Sequence, residues 1–261
     1  MKAKLSKTFL SGTVSLLAIL LPAPMPVQGA VVDLNPVADA FVAAGPPTNN
    51  LTLNNYGGAG ALALSAAGLS KGEFQSVLRF DTSSAKSSFD SLYGAGLWSL
   101  QSVTLQVTAA SVNNALFNAN SAGSFGVSWM QNVGWTEGTG TPNAPAASGI
   151  TYSSLQASFI NPLSDEPLGT FTYNGSSSGT FGYTLTWSSG LVSDLLAGDN
   201  LSLRLLAADS AVSYVFDSRS FGTIASRPLL SITAVPEPGT AALAVLGGLL
   251  WVSRGAIRRR R

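Results

Sequence analysis

Acid–base chemistry in this chain would rest on carboxylates, tyrosines and arginines, because its 261 residues include neither histidine nor cysteine. Their absence removes Ser-His-Asp and Cys-His nucleophiles, zinc sites built on Cys or His, and any disulfide framework. A pair of acids remains, and a glycosidase needs no more than that. Glu73, Asp81, Glu137 and Asp217 are far enough apart for a fold to bring two of them together. Asp165 and Glu166 are adjacent in a Pro-flanked loop, so they diverge instead of facing across a sugar. A polysaccharide lyase would recruit a tyrosine and an arginine; Tyr152 and Arg219 have those types, but no spacing selects them.

Two apparent motifs dissolve on inspection. Gly175-Ser176-Ser177-Ser178-Gly179 has the G-x-S-x-G form, but no base exists to activate its serine, and it reads as a turn. Gly58-Ala59-Gly60-Ala61-Leu62-Ala63 matches a loose dinucleotide fingerprint, yet no helix or βαβ unit follows. No catalytic activity is expected. No cofactor is called for either, although oxygen ligands could hold calcium. Asp33, Asn35 and Asp39 are the best-spaced set for it, without a D-x-[DN]-x-[DN]-G loop.

Binding is the chemistry that survives. Aromatic faces hold the C–H surfaces of sugars, while Asn, Asp, Gln or Arg hold their hydroxyls and acids. Trp135 and Tyr152 flank a Gly/Pro/Ala-rich stretch from Gly138 to Gly149, and Tyr56 sits in a turn. These three are the candidate carbohydrate-binding aromatics. Tyr183 and Trp187 fall on an alternating apolar face and are assigned to the core. Arg79 and Arg219 are expected to lay their stems on the core and pair with an acid such as Asp81 or Asp217.

The elements that must position these groups are strands. Phe74, Ser76, Leu78 and Phe80 alternate with Gln75, Val77, Arg79 and Asp81. The same period of two runs through Val103–Thr108, Phe181–Trp187 and Leu201–Leu205. Shorter candidates are Ala38–Val42, Ala61–Ser65, Phe125–Gln131, Phe171–Tyr173, Val212–Phe216 and Leu229–Thr233. About ten strands with Gly/Asn/Ser/Pro turns between them predict an all-β, antiparallel β-sandwich, jelly-roll-like, as one domain. Ser83–Leu92 and Gly190–Leu196 are the only short helical candidates, and neither could complete a βαβ unit.

The two ends differ from the body. Eight of the 14 basic residues lie in the first seven and last eight positions, while the span between them holds all 13 acids. With no basic stripe, nucleic-acid binding is not expected. Lys2, Lys4 and Lys7 precede an apolar run from Phe9 to Leu21, followed by Val27 and Gly29 at the −3 and −1 positions of a cut before Ala30. That is the pattern of a secretory signal. At the other end Val235-Pro236-Glu237-Pro238-Gly239-Thr240 leads into an apolar segment, Ala241 to Val252. Arg254 and Arg258-Arg259-Arg260-Arg261 follow. Gly239 to Ser253, 15 residues, would be a short transmembrane span, adequate if Arg254 snorkels and Ile257 is included, with the arginines holding its end in the cytoplasm.

Pro236-Glu237-Pro238, the apolar segment and the arginine cluster, in that order, resemble a PEP-CTERM sorting tail of Gram-negative bacteria that make extracellular polysaccharide. The resemblance implies an exosortase as partner, which recognises the motif in the inner membrane, cuts near it and delivers the body to the cell surface or matrix. The body carries a second resemblance. Ala38-Asp39-Ala40-Phe41-Val42, Asn55-Tyr56-Gly57, Ser76-Val77-Leu78-Arg79-Phe80-Asp81, Gly134-Trp135-Thr136-Glu137-Gly138 and Asp217-Ser218-Arg219-Ser220 are similar in order to the DNRLRE domain. That implies an extracellular β-sandwich like carbohydrate-binding modules, some of which bind acidic polysaccharides. The chain departs from the pattern at the Gly138–Gly149 insertion and at Thr151-Tyr152. The expected organisation is therefore a signal peptide at 1–29, a sandwich at 30–234 and a sorting tail at 235–261. The expected work is exopolysaccharide contact outside the cell, with a glycan-cleaving enzyme or a self-associating matrix protein as alternatives.

Overall fold

The computed structural model describes residues 29–110, 121–237 and 239. The expected signal run, the apolar segment from Ala241, Pro238 and the Arg258–Arg261 cluster lie outside the described residues. Among the described residues no helix is long and apolar enough to cross a membrane.

The fold is mostly β, and its two sheets are antiparallel. One has four strands in the order β1 (Ala30–Leu34), β11 (Leu229–Pro236), β5 (Trp98–Thr108) and β8 (Thr180–Thr184). The other has seven: β10 (Ser213–Asp217), β3 (Ala61–Ser65), β4 (Phe74–Asp81), β9 (Asn200–Ala207), β6 (Gly123–Met130) and β7 (Glu166–Tyr173), with β2 (Ala38–Ala43) pairing β4. The period-two pattern sets which side of each strand is buried. Val103, Leu105 and Val107 of β5, with Leu230 and Ile232 of β11, meet Leu78 and Phe80 of β4 and Leu203 and Leu205 of β9 in one core. Phe125 of β6 crosses between the sheets to Tyr183 of β8, edge-on at 5.0 Å between ring centroids.

Two neighbouring helices pack against this core, joined where the Thr82 hydroxyl donates to the Asp199 carbonyl. In α1 (Ser83–Tyr93) Ala85 and Phe89 are buried, and Phe89 lies 5.0 Å from the ring of Trp98. In α3 (Ser189–Ala197) the Ser188 hydroxyl caps the first turn, Leu191 and Leu195 point inward, and Gly198 ends the helix in the left-handed region at φ 75°. The Trp129 indole donates to Asp194 at 2.7 Å and so ties β6 to α3.

The outer side of the seven-stranded sheet is covered. The chain from Gln131 to Ile160 folds back across it, through α2 (Tyr152–Ser154) and a π turn (Leu155–Phe159). Trp135, Ile150 and Leu155 from this excursion pack with Val77 of β4, Met130 and the small residues Ala38, Ala40 and Val42 of β2. A third apolar cluster joins Phe41, Phe74, Tyr56 and Leu51, with Phe41 and Tyr56 stacked at 4.6 Å and 5°.

Three expectations need correction. Trp187 is not in the core: β8 ends at Thr184 and the indole is 47% exposed. Tyr183 is buried as expected. A strand before residue 38, β1, was not anticipated, and β11 runs two residues past the expected boundary at Ala234.

Candidate functional site

Tyr56 and Trp135, read as surface aromatics, are each only 1% exposed. Neither can offer a face to a sugar. Both are packing residues of the covered side. Trp135 donates its indole N–H to Ser202 Oγ at 3.1 Å, and the Arg79 guanidinium lies 5.0 Å from its ring centroid. Arg79 does not pair with Asp81. Its Nη1 donates to the carbonyls of Val133 and Trp135 at 2.8 and 2.7 Å, pinning the excursion to β4.

Asn55 is the hub of that attachment. Its Nδ2 donates to the carbonyls of Glu137 and Ile150, while Oδ1 accepts from the N–H groups of Gly57 and Gly140. All four hydrogen-bonding positions of the amide are therefore used, in a residue with no exposed surface. The glycines of the inserted stretch allow this approach. A Cβ at Gly138 would strike the Asn55 amide, and one at Gly140 would strike its carbonyl.

Tyr152 is half-buried and donates its hydroxyl to Glu73 Oε2 at 2.6 Å. Gln75 donates to the other Glu73 oxygen at 2.6 Å. Burial, and then the carboxylate beside it, push the Tyr152 phenol up to about 12, so it is a poor base near neutral pH. Arg204 lies close enough to Glu73, Tyr152 and Asp165 to feel their charge, and burial lowers its affinity for the proton. Glu73 also lines an open depression of about 380 Å³ with Pro46, Asn50 and Thr52. Glu73 already meets Arg204 as a counter-charge, so this corner does not favour an anionic ligand.

The proposed calcium ligands have separate partners. Asp33 Oδ1 accepts from the Ser231 hydroxyl at 2.6 Å, and Asn35 donates to the Pro228 carbonyl at 3.1 Å. Asp39 is fully buried; its Oδ2 accepts from the backbone N–H of Arg219 at 2.6 Å. Arg219 does not pair with Asp217. Its Nη1 lies 2.7 Å from Glu137 Oε2, and Glu137 Oε1 accepts from the Asp39 N–H at 3.2 Å. Two carboxylates thus come together around one arginine, whose guanidinium holds Glu137 and whose backbone N–H holds the buried Asp39. Burial above all pushes Asp39 up to about 7 and Asp217 up to about 6. Among the described residues no group of three or more acids could hold a metal ion.

Among the described residues, the outer side of the four-stranded sheet is left uncovered. Asp33, Ser231, Thr104 and Thr184 stand opposite one another across all four strands, so one polar row spans the sheet. Thr104 and Thr184 hydroxyls are 3.3 Å apart, Gln106 donates to Ser231 at 3.4 Å, and Thr108 meets Thr180 at 3.0 Å. Along each strand such positions recur every second residue, about 7 Å apart, and neighbouring strands are about 4.8 Å apart. The result is a flat lattice of hydroxyls, one amide and one carboxylate, with Val31 exposed at its corner. Trp187, three residues beyond Thr184, is exposed, in a segment that has left β8 for the other sheet, where the Thr186 N–H donates to the Leu168 carbonyl. Its exposure had no signal in the alternation, which continues past the strand end.

No family model matches the chain, and no curated protein matches it.

Proposed function

We propose that this is an exported, non-catalytic surface or matrix protein whose jelly-roll-like sandwich contacts exopolysaccharide through the four-stranded sheet. The polar row from Asp33 through Ser231 and Thr104 to Thr184 carries this reading. Among the described residues it is uncovered and, apart from Asp33, uncharged, and it is built of groups that exchange water hydroxyls for sugar hydroxyls at little cost. Such a surface makes many weak contacts with a long polymer, and their sum holds the protein in a matrix.

The sequence at both ends supports export and sorting. An N-terminal secretory signal takes the body out of the cytoplasm, a transmembrane helix over Gly239–Ser253 holds it at the inner membrane, and Arg258–Arg261 stop its transfer. An exosortase then cuts near Pro236-Glu237-Pro238. The fold supports the same order of events, since Ala30 and Ala234 are paired across β1 and β11 and both ends leave the sandwich side by side.

Cell fractionation of the producing bacterium tests this. The mature body is expected with the extracellular polysaccharide, and digestion of that polysaccharide is expected to release it. A body that stays in the cytoplasm, or remains cell-bound after digestion, contradicts the reading.

A further inference from the structure

We propose that the sandwich itself gates the sorting cut. Pro236 ends β11 and Glu237 is hydrogen-bonded just beyond it, and a processing peptidase reaches them only after residues 234–237 peel away from Leu97 and β5. This rests on the processing reading above and adds what controls its timing.

The sorting motif begins in the sheet, because Pro236 is the last residue of β11. Val235 pairs with Ser99 and Pro236 with Trp98, and the N–H of Glu237 donates to the Leu97 carbonyl at 3.0 Å. Peptidases take up their substrates extended, through main-chain hydrogen bonds like those of an added strand. Here β5 already occupies main-chain groups of this segment. The cut adds one water across an amide bond, and the peptidase must hold that amide in its own cleft first.

The peel has a built-in limit. The β11–β5 register shifts between Thr233 and Ala234, so the residues beyond the bulge form a short separate ladder. Tyr93 latches this point, its hydroxyl accepting from the Ala30 N–H at 2.9 Å and donating to the Ala234 carbonyl at 3.2 Å. Trp98, opposite Pro236, is fixed by its indole N–H to Asp90 Oδ1 at 2.8 Å.

The full-length chain in its producing bacterium is the test system, read as the ratio of precursor to mature body. Because the chain has no cysteine, Ser99→Cys with Val235→Cys places one disulfide across the ladder. Directly opposed residues of an antiparallel pair sit about 4.5–5.5 Å apart, within the span of that bond. The oxidised double variant is expected to accumulate as precursor and to mature when reductant is added, while each single variant matures like wild type. Tyr93→Phe, which removes both hydrogen bonds of the latch, one of them to Ala234, is expected to mature about fivefold faster. An oxidised double variant that matures at the wild-type rate overturns the gate and leaves processing intact. A wild-type chain that is never cut overturns the processing reading and the gate with it.

Discussion

The backbone N–H of Arg219 donates to Asp39 Oδ2 at 2.6 Å, although the two residues are 180 positions apart. The same arginine reaches Glu137 with its guanidinium, so the end of β10, the start of β2 and the excursion after Trp135 close on one buried carboxylate. This knot holds the covered side of the seven-stranded sheet in place.

Asp39 gives the knot a pH dependence with a definite sign. Its folded value, about 7, is above the 3.8 of a free aspartate. Burial is the largest cause and the Glu137 charge adds to it, while the Arg219 N–H and the charges of Arg219 and Arg227 oppose them. The folded state therefore holds the proton more tightly than the unfolded chain. The charge penalises folding above about pH 7, and the penalty fades as pH falls toward 3.8. Asp39→Asn is expected to raise Tm at pH 8 by roughly 2–4 °C or more, with the difference closing near pH 4. Thermal melts of both chains across that range decide it; a variant less stable than wild type at pH 8 contradicts the assignment.

Trp135→Ala is expected to destabilise the whole domain by about 3–5 kcal/mol, because it empties a packed site and removes the ring under Arg79. Urea denaturation measures this. A variant of wild-type stability that had lost glycan binding would return Trp135 to the surface role its loop setting suggests.

Asn55→Asp keeps the size of the side chain but replaces two donors with an oxygen aimed at the carbonyls of Glu137 and Ile150. A loss of about 3 kcal/mol or more is expected, along with faster proteolysis between residues 138 and 149. Equal stability to wild type would show that the excursion does not depend on this amide.

Tyr214 is completely buried, and among the described residues its hydroxyl has no partner. Tyr214→Phe is expected to stabilise the protein by about 1 kcal/mol, read as a rise in Tm. A fall in Tm would show that the hydroxyl is satisfied.

The sequence reveals the strands because period two reports faces directly. Phe74 to Asp81 sorts its side chains as read, with Leu78 and Phe80 in the core between the sheets and Val77 in the cluster behind them. Trp187 misleads because alternation continues for three residues after the ladder stops at Thr184. Tyr56 and Trp135 mislead for a different reason. Turn and loop neighbours suggest exposure, and nothing local shows that residues 131–160 fold back over a sheet. That depends on pairings such as Asn55 with Glu137 and Arg219 with Glu137, each 82 positions apart. The polar row is equally hidden. Asp33, Thr104, Thr184 and Ser231 become a surface only once the strand order β1-β11-β5-β8 is known.

The most direct test is the affinity of the purified body, residues 30–237, for the producing organism's exopolysaccharide, measured beside a face variant with Thr104→Ala, Gln106→Ala and Thr184→Ala. These side chains lie on an exposed or half-buried face, so the variant is expected to fold normally. Saturable binding by wild type, reduced about tenfold or more in the variant and unchanged by a calcium chelator, is the expected result. Binding that is absent, or equal in both chains, contradicts the four-stranded face as the site of contact.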